Sequence, residues 1–257
     1  MTEANSDFEY IEFTVEDGVA TLRLQRPEKK NAINAGMRDD LTRAFERFAA
    51  NDDAIVLILT GSGDSFSAGT DINELDERIP ETTTEAIMLN QFALPERIEA
   101  LDKPTIAMID GLALGGGFEL ALACDIRIAS NESSIGFPEI TIGGFPGEGG
   151  TQRLPRETNL GTALLLTFTG EPVSAKRAEE HGLVQEVHPS DRVEVRTMEI
   201  AEQIAEKDVL ALVLAKTATK MATRTGLQQG LELEGLLGNV LEATPERKER
   251  LKEFLEE

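Results

Sequence analysis

Two short runs of alternating apolar and polar residues, Tyr10-Ile11-Glu12-Phe13-Thr14-Val15 and Val19-Ala20-Thr21-Leu22-Arg23-Leu24, flank Asp17-Gly18. Period-two alternation marks strands with one buried face, and an Asp-Gly pair between them predicts a hairpin. Arg26-Pro27 ends it, and Lys29-Lys30-Asn31 opens a loop into an amphipathic helix from about Gly36 to Ala50. The pattern then changes to an unbroken apolar run, Ala54 to Thr60, closed by Gly61-Ser62-Gly63. Such a run predicts a strand buried on both faces. A helical region over about Thr83 to Ala100 precedes a second buried strand, Thr105 to Ile109, and Phe118 to Cys124 is helix-like. Asp125 to Ala129 and Val184 to Val187 are further short strands by the same reading. Strands alternating with helices predict an α/β fold.

After Pro189 the β-branched runs stop. Val193 to Glu206, Val209 to Thr223, Leu227 to Leu241 and Glu246 to Phe254 all have helical spacing. This places a boundary near residue 190, with a core over 1–190 and a helical region over 191–257. Amphipathic helices of this kind pack on their own core or on a neighbouring subunit.

Charge narrows the classes of partner. The 257 residues include 25 basic and 47 acidic side chains, a net charge of −22 spread from Glu3 to Glu257. A field of that sign opposes nucleic acid and anionic membranes, so neither is expected as a partner. Arginine outnumbers lysine 16 to 9, which with the acid excess suggests adaptation to high salt. At 1 M salt the Debye length is roughly 3 Å, short enough to screen this self-repulsion. Met1 to Asp7 lacks the basic start and apolar run of a signal peptide, and Pro104 to Ala129 is interrupted by Asp110, Glu119, Asp125 and Arg127. A cytoplasmic protein without a membrane span is expected. Cys124, the one cysteine, lies in an apolar stretch and reads as a buried, inert thiol.

The candidate chemistry is concentrated in two glycine-dense segments. Gly115-Gly116-Gly117 runs into the helical stretch carrying Glu119, and twenty residues on Glu139 precedes Gly143-Gly144-Phe145-Pro146-Gly147-Glu148-Gly149-Gly150. Free N–H groups at a helix start stabilise a developing oxygen anion, and paired carboxylates move protons or hold a water. The same glycines superficially resemble a dinucleotide-binding turn. With Tyr10 the one tyrosine, however, the Tyr-x-x-x-Lys pair of short-chain dehydrogenases has no candidate. Taken alone, Glu119 reads as a favourable first-turn charge and Glu139 as a solvated loop acid; their combination with both glycine frameworks points to a reaction centre.

Ser65-Phe66-Ser67-Ala68-Gly69-Thr70-Asp71-Ile72, the run from Asp110 to Asp125, Pro138-Glu139, Pro146 to Leu154, and Thr169-Gly170-Glu171 with Ser174-Ala175 and His181-Gly182-Leu183-Val184 together resemble the crotonase, or enoyl-CoA hydratase, family over nearly the whole chain. The resemblance implies a spiral of repeated ββα units with a C-terminal helical trimerisation region, giving a homotrimer or a homohexamer. It implies that the main-chain amides of Thr70 and Gly116 polarise an acyl-CoA thioester carbonyl. Glu119 then helps a water attack the β-carbon, Glu139 delivers a proton at the α-carbon, and the Gly147 amide contacts the water or a glutamate. The reaction implied is syn hydration of a trans-2-enoyl-CoA, with no metal or redox cofactor, coenzyme A being part of the substrate. A Δ3,Δ2-enoyl-CoA isomerase and a catalytically silent CoA-binding protein are the alternatives.

For the coenzyme A portion the resemblance implies contacts from Lys29, Lys30 and Ala32, from Ala68, Thr70, Asp71 and Ile72, and from Phe254. Asn73 stands where many relatives have lysine, and the chain ends Phe254-Leu255-Glu256-Glu257 where relatives often supply another. The acyl chain is expected to meet the region from Glu74 to Pro95, with Phe118, Phe137 and Phe145 as candidate pocket walls or ordinary core. Glu148 replaces the small residue usual there and reads as a surface acid, with a third site carboxylate as the alternative. His181 and His188 match no catalytic position and read as structural.

Overall fold

The structure, a computed structural model, describes residues 7–77 and 94–256. In chain order, β1 (Ile11–Glu16) and β2 (Val19–Leu24) lead through a 3-10 turn at Pro27–Lys29 to helix α1 (Ala35–Ala50). β3 (Val56–Gly61), β4 (Ser65–Ser67) and α2 (Ile72–Glu77) follow, then α3 (Leu94–Glu99), β5 (Thr105–Ile109), β6 (Leu112–Leu114) and α4 (Gly116–Ala123). β7 (Ile126–Ser130), β8 (Ser134–Gly136) and a 3-10 turn at Pro138–Ile142 precede α5 (Gly150–Glu157), α6 (Leu160–Thr169), β9 (Val173–Ser174), α7 (Ala175–Glu180) and β10 (Glu186–His188). The chain ends in α8 (Ser190–Ala205), α9 (Val209–Met221), α10 (Leu227–Glu242) and α11 (Pro245–Glu256).

The hairpin is as the alternation predicts: β1 and β2 pair antiparallel with Ile11 opposite Leu24, and Asp17 and Gly18 both take positive φ, 48° and 83°. That is the turn an Asp-Gly pair favours. Helix α1 starts where Asn34 accepts a hydrogen bond from the Met37 amide at 2.8 Å, an N-cap that satisfies one orphan donor. Of the predicted helix at 83–100, only Leu94–Glu99 lies among the described residues. The last predicted strand begins later than expected, at Glu186 instead of Val184, because Leu183 and Val184 are core residues of the turn leading into it.

Six strands form one sheet in the order β1-β2-β3-β5-β7-β10, parallel apart from the hairpin. The unbroken apolar run of β3 has the reason predicted for it. Leu57 and Leu59 join the core that includes Met37, Leu41, Phe45 and Phe48 of α1, whereas Val56 and Ile58 face a second cluster with Val193 and Ala201 of α8.

A second sheet, β4-β6-β8-β9, was not visible in the hydropathy pattern. Its strands have only two or three residues each, too few for a period-two signature. The two sheets give the spiral its repeat. β3, β5 and β7 each pass through a short turn into β4, β6 and β8, and each pair runs on into a helix or helical turn.

Candidate active site

β4, β6 and β8 are parallel neighbours, so their carboxyl ends open on one edge of the small sheet. From those ends run residues 68–71, residues 115–117 and residues 137–139. Gly69 has φ +90°, and a β-carbon there would lie 2.7 Å from the Leu114 carbonyl oxygen and 2.9 Å from the Gly116 nitrogen. The first two segments are therefore backbone against backbone, a separation no other residue allows.

This approach places two amides side by side. Ile33 bridges to Thr70 through the Gly69 carbonyl (2.7 Å) and the Asp71 amide (3.1 Å), which turns the Thr70 N–H to the opposite side. Gly116 is the first residue of α4, where an amide has no acceptor within the helix. A β-carbon on Gly116 would sit 3.5 Å from the Thr70 nitrogen. The main chains of Thr70 and Gly116 thus lie against each other.

Both carboxylates reach the same place. Glu119, one turn into α4 and 2% exposed, accepts hydrogen bonds at Oε1 from the Glu148 and Gly150 amides, each at 2.7 Å. Burial pushes its carboxyl up to about 7; the charges of Glu148 and Glu139 add to this, and the two amide bonds oppose it. Glu139, in the 3-10 turn after β8, is also raised by burial. Its Oε1 lies 3.0 Å from where a β-carbon on Gly115 would be, and its Oε2 is buried with no partner among the described residues. A buried acceptor left open beside the Thr70 and Gly116 main chains suits a site that takes a ligand.

The residues expected to meet coenzyme A are also adjacent, except for Phe254. The Ala68 amide donates to the Lys30 carbonyl at 2.9 Å, and Ser67 Oγ to the Asn31 carbonyl at 2.8 Å, so Lys29, Lys30 and Ala32 run alongside Ala68, Thr70 and Asp71. Lys29 and Lys30 are exposed. The Asp71 carboxylate is bonded to Arg26 at 3.1 Å and to Asn73. Ile72 is 73% exposed. Phe254, equally exposed, lies on α11, which packs on α10.

Several readings are corrected. Glu148 is no surface acid: its carboxylate pairs with Arg38 at 2.6 Å, with both side chains about four-fifths buried. Phe118 and Phe137 are core, fully buried with ring centroids 5.1 Å apart, whereas Phe145 is exposed. Apart from these corrections, the amides of Glu148 and Gly150 donate to Glu119, which leaves the expectation for Gly147 unchanged. The Gly149-Gly150 doublet was the available signal for this contact; Arg38, on a helix with an exposed face, offered none. Cys124 is buried as expected, its thiol pushed up to about 12 by desolvation. His188 bonds Glu186 at 2.7 Å and His181 caps α7, both structural.

A cavity of about 730 Å³ lies elsewhere, lined by Cys124, Asp125, Arg153, Lys216, Lys220 and Arg224 among others. None of Thr70, Gly116, Glu119 or Glu139 lines it. No described helix is long and apolar enough to cross a membrane.

The chain is similar to known proteins along nearly its whole length. The family model described as enoyl-CoA hydratase/isomerase matches residues 14–257. The chain is 37% identical over 238 residues to 2,3-dehydroadipyl-CoA hydratase of Escherichia coli, covering 93% of this chain and 92% of that one. It is 38% identical over 252 residues to crotonyl-CoA hydratase of Syntrophomonas wolfei, covering 97% and 96%. A crystal structure of an enoyl-CoA hydratase from Bacillus anthracis superposes with a TM-score of 0.91 at 36% identity, covering 96% of each chain.

Proposed function

The chain belongs to the enoyl-CoA hydratase/isomerase family, and from that premise we propose that it catalyses reversible syn hydration of a trans-2-enoyl-CoA to a 3-hydroxyacyl-CoA. The observation that carries this reading is the convergence of two raised carboxyls, Glu119 and Glu139, beside the paired amides of Thr70 and Gly116.

The thioester oxygen accepts from both amides, which lowers the electron density at the β-carbon. Ionised Glu119 takes a proton from a water as its oxygen bonds to that carbon, and the alkene electrons move onto the thioester oxygen as an enolate. Protonated Glu139 then gives its proton to the α-carbon as the carbonyl re-forms. Proton exchange with solvent returns Glu119 to the anion and Glu139 to the acid. The amides of Glu148 and Gly150 hold Glu119 in one orientation throughout. Lys29 and Lys30 supply positive charge for the phosphates of coenzyme A in an otherwise negative field.

Incubation with crotonyl-CoA in high potassium chloride tests the reading, followed by loss of the conjugated-thioester absorbance. Absence of turnover at every salt concentration overturns it. The isomerase reading is favoured by the unpartnered Oε2 of Glu139, since one carboxylate suffices to move a proton between carbons. Conversion of a 3-enoyl-CoA with little dependence on Glu119 would select it.

The proposal extends to assembly and setting. Leu227, Leu231, Leu236, Val240, Phe254 and Leu255 leave apolar surface exposed on α10 and α11, which supports a homotrimer or homohexamer joined through these helices. A stable monomer in sedimentation would refute this. The −22 charge supports a salt-adapted cytoplasmic enzyme without nucleic-acid partners.

A further inference from the structure

Three segments far apart in sequence meet at one guanidinium. Arg38 Nη2 on α1 lies 2.6 Å from Glu148 Oε1 and 3.2 Å from Thr70 Oγ1. Thr70 carries one of the paired amides, and the Glu148 amide is one of the two donors on Glu119. Arg38 thus spans from the segment that binds the thioester oxygen to the loop that orients the general base, touching neither reacting carboxylate itself. Its Nε is buried without an acceptor among the described residues, a cost that stability alone gives no reason to carry.

We propose that Arg38 and Glu148 form a positioning pair that locks the Thr70 segment to the Glu119 loop and limits the negative charge that Glu119 faces. This rests on the hydratase reading and adds to it two residues that act through others.

The groups around Glu119 explain why the pair is needed. Glu139 faces it from the 3-10 turn and Glu148 from the adjoining loop, both opposing its ionisation. Arg38 reaches from α1 to neutralise Glu148. Arg153 of α5 holds the same loop through the Glu148 carbonyl at 2.9 Å, but its own charge is taken by Glu99 of α3 at 2.6 Å. Arg38 is therefore the cation matched to Glu148. Without it Glu148 would stand as an uncompensated anion beside two partly or fully buried carboxyls; without Glu148, Arg38 would favour the Glu119 anion.

The two single substitutions must then act in opposite directions, which a merely structural pair would not do. For Arg38→Met the acid limb of the crotonyl-CoA pH–rate profile moves to higher pH by about half a unit or more. For Glu148→Gln it moves to lower pH, and the double variant returns towards the wild type. Arg38→Met also lowers kcat by about 10-fold as the Thr70 segment loosens. The titration of the Glu119 carboxyl, read by 13C NMR and assigned by its loss in Glu119→Gln, must show the same displacements, and this readout needs no turnover. If Arg38→Met does not fold, Glu148→Gln alone carries the sign test. Displacements in the same direction, or none, overturn the proposal. A wild-type protein that leaves crotonyl-CoA unchanged while Glu119 still shifts as described overturns the hydratase reading and leaves the charge relationship standing.

Discussion

A β-carbon on Gly115 would sit 3.0 Å from Oε1 of Glu139, so the glycine at the N-cap of α4 is also the floor beneath the second carboxylate. Its φ of +53° and ψ of −129° lie where side chains are strained. Gly115→Ala should therefore lose about 1–3 kcal/mol in denaturant unfolding. It should also lower kcat by about 10-fold or more, because displacing the carboxylate by a fraction of an ångström disturbs proton delivery.

Glu119 couples activity to pH. Its carboxyl is raised from 4.5 to about 7 in the fold, so the unfolded chain releases its proton first as pH rises. The stability associated with the protonated form is complete below about pH 4.5 and is lost on rising through about pH 7. Glu119→Gln, fixed as a neutral group, should be more stable than the wild type at pH 8 by up to about 3 kcal/mol. That advantage should shrink towards pH 5, as chemical denaturation at fixed salt would show. The same change and Glu139→Gln should each lower turnover by about 10²–10⁴.

Gly69→Ala addresses the paired amides without touching a side chain of the site. The new methyl would press on the Leu114 carbonyl at 2.7 Å and the Gly116 nitrogen at 2.9 Å. Separating the two donors should cost about 10²–10³ in kcat, a loss that steady-state kinetics on crotonyl-CoA would read.

Cys124 should ignore a thiol reagent in the folded protein and react fully once the chain is unfolded. Its thiol is 3% exposed and pushed up to about 12, so the reactive thiolate is scarce and inaccessible. Rapid labelling of native protein would contradict the packing around the end of α4.

Thermal unfolding should move to higher temperature as potassium chloride rises from 0.1 to about 1 M, since the Debye length falls from about 10 to about 3 Å. With a charge of −22, self-repulsion is the term most relieved. A Tm independent of salt would remove the basis for salt adaptation.

Motifs whose chemistry is local were legible along the chain. Asp17-Gly18 specifies its turn by backbone preference, the run into β3 shows its burial by composition, and Gly115 to Glu119 carries a donor and an acid within one helical turn. The small sheet was not legible, although the segments carrying Thr70, Gly116 and Glu139 run from it, because two or three residues cannot display a period. Glu148 read as surface for a similar reason: its partner is 110 residues away, and nothing in either neighbourhood announces the pairing.

The order of residues by itself determined the supply of parts: glycines that permit close backbone approach, two carboxyls at a set spacing, and a lysine loop in a negative chain. Tertiary structure alone decided which parts meet. Gly69 lies against Gly116, Glu119 receives the amides of Glu148 and Gly150, and Arg38 is shared between Thr70 and Glu148. The physical reason is one of range. Torsional preference and hydrophobic period act over a few residues, whereas desolvation and charge pairing depend on distances that exist only once the parallel strands of the small sheet have brought their carboxyl ends together.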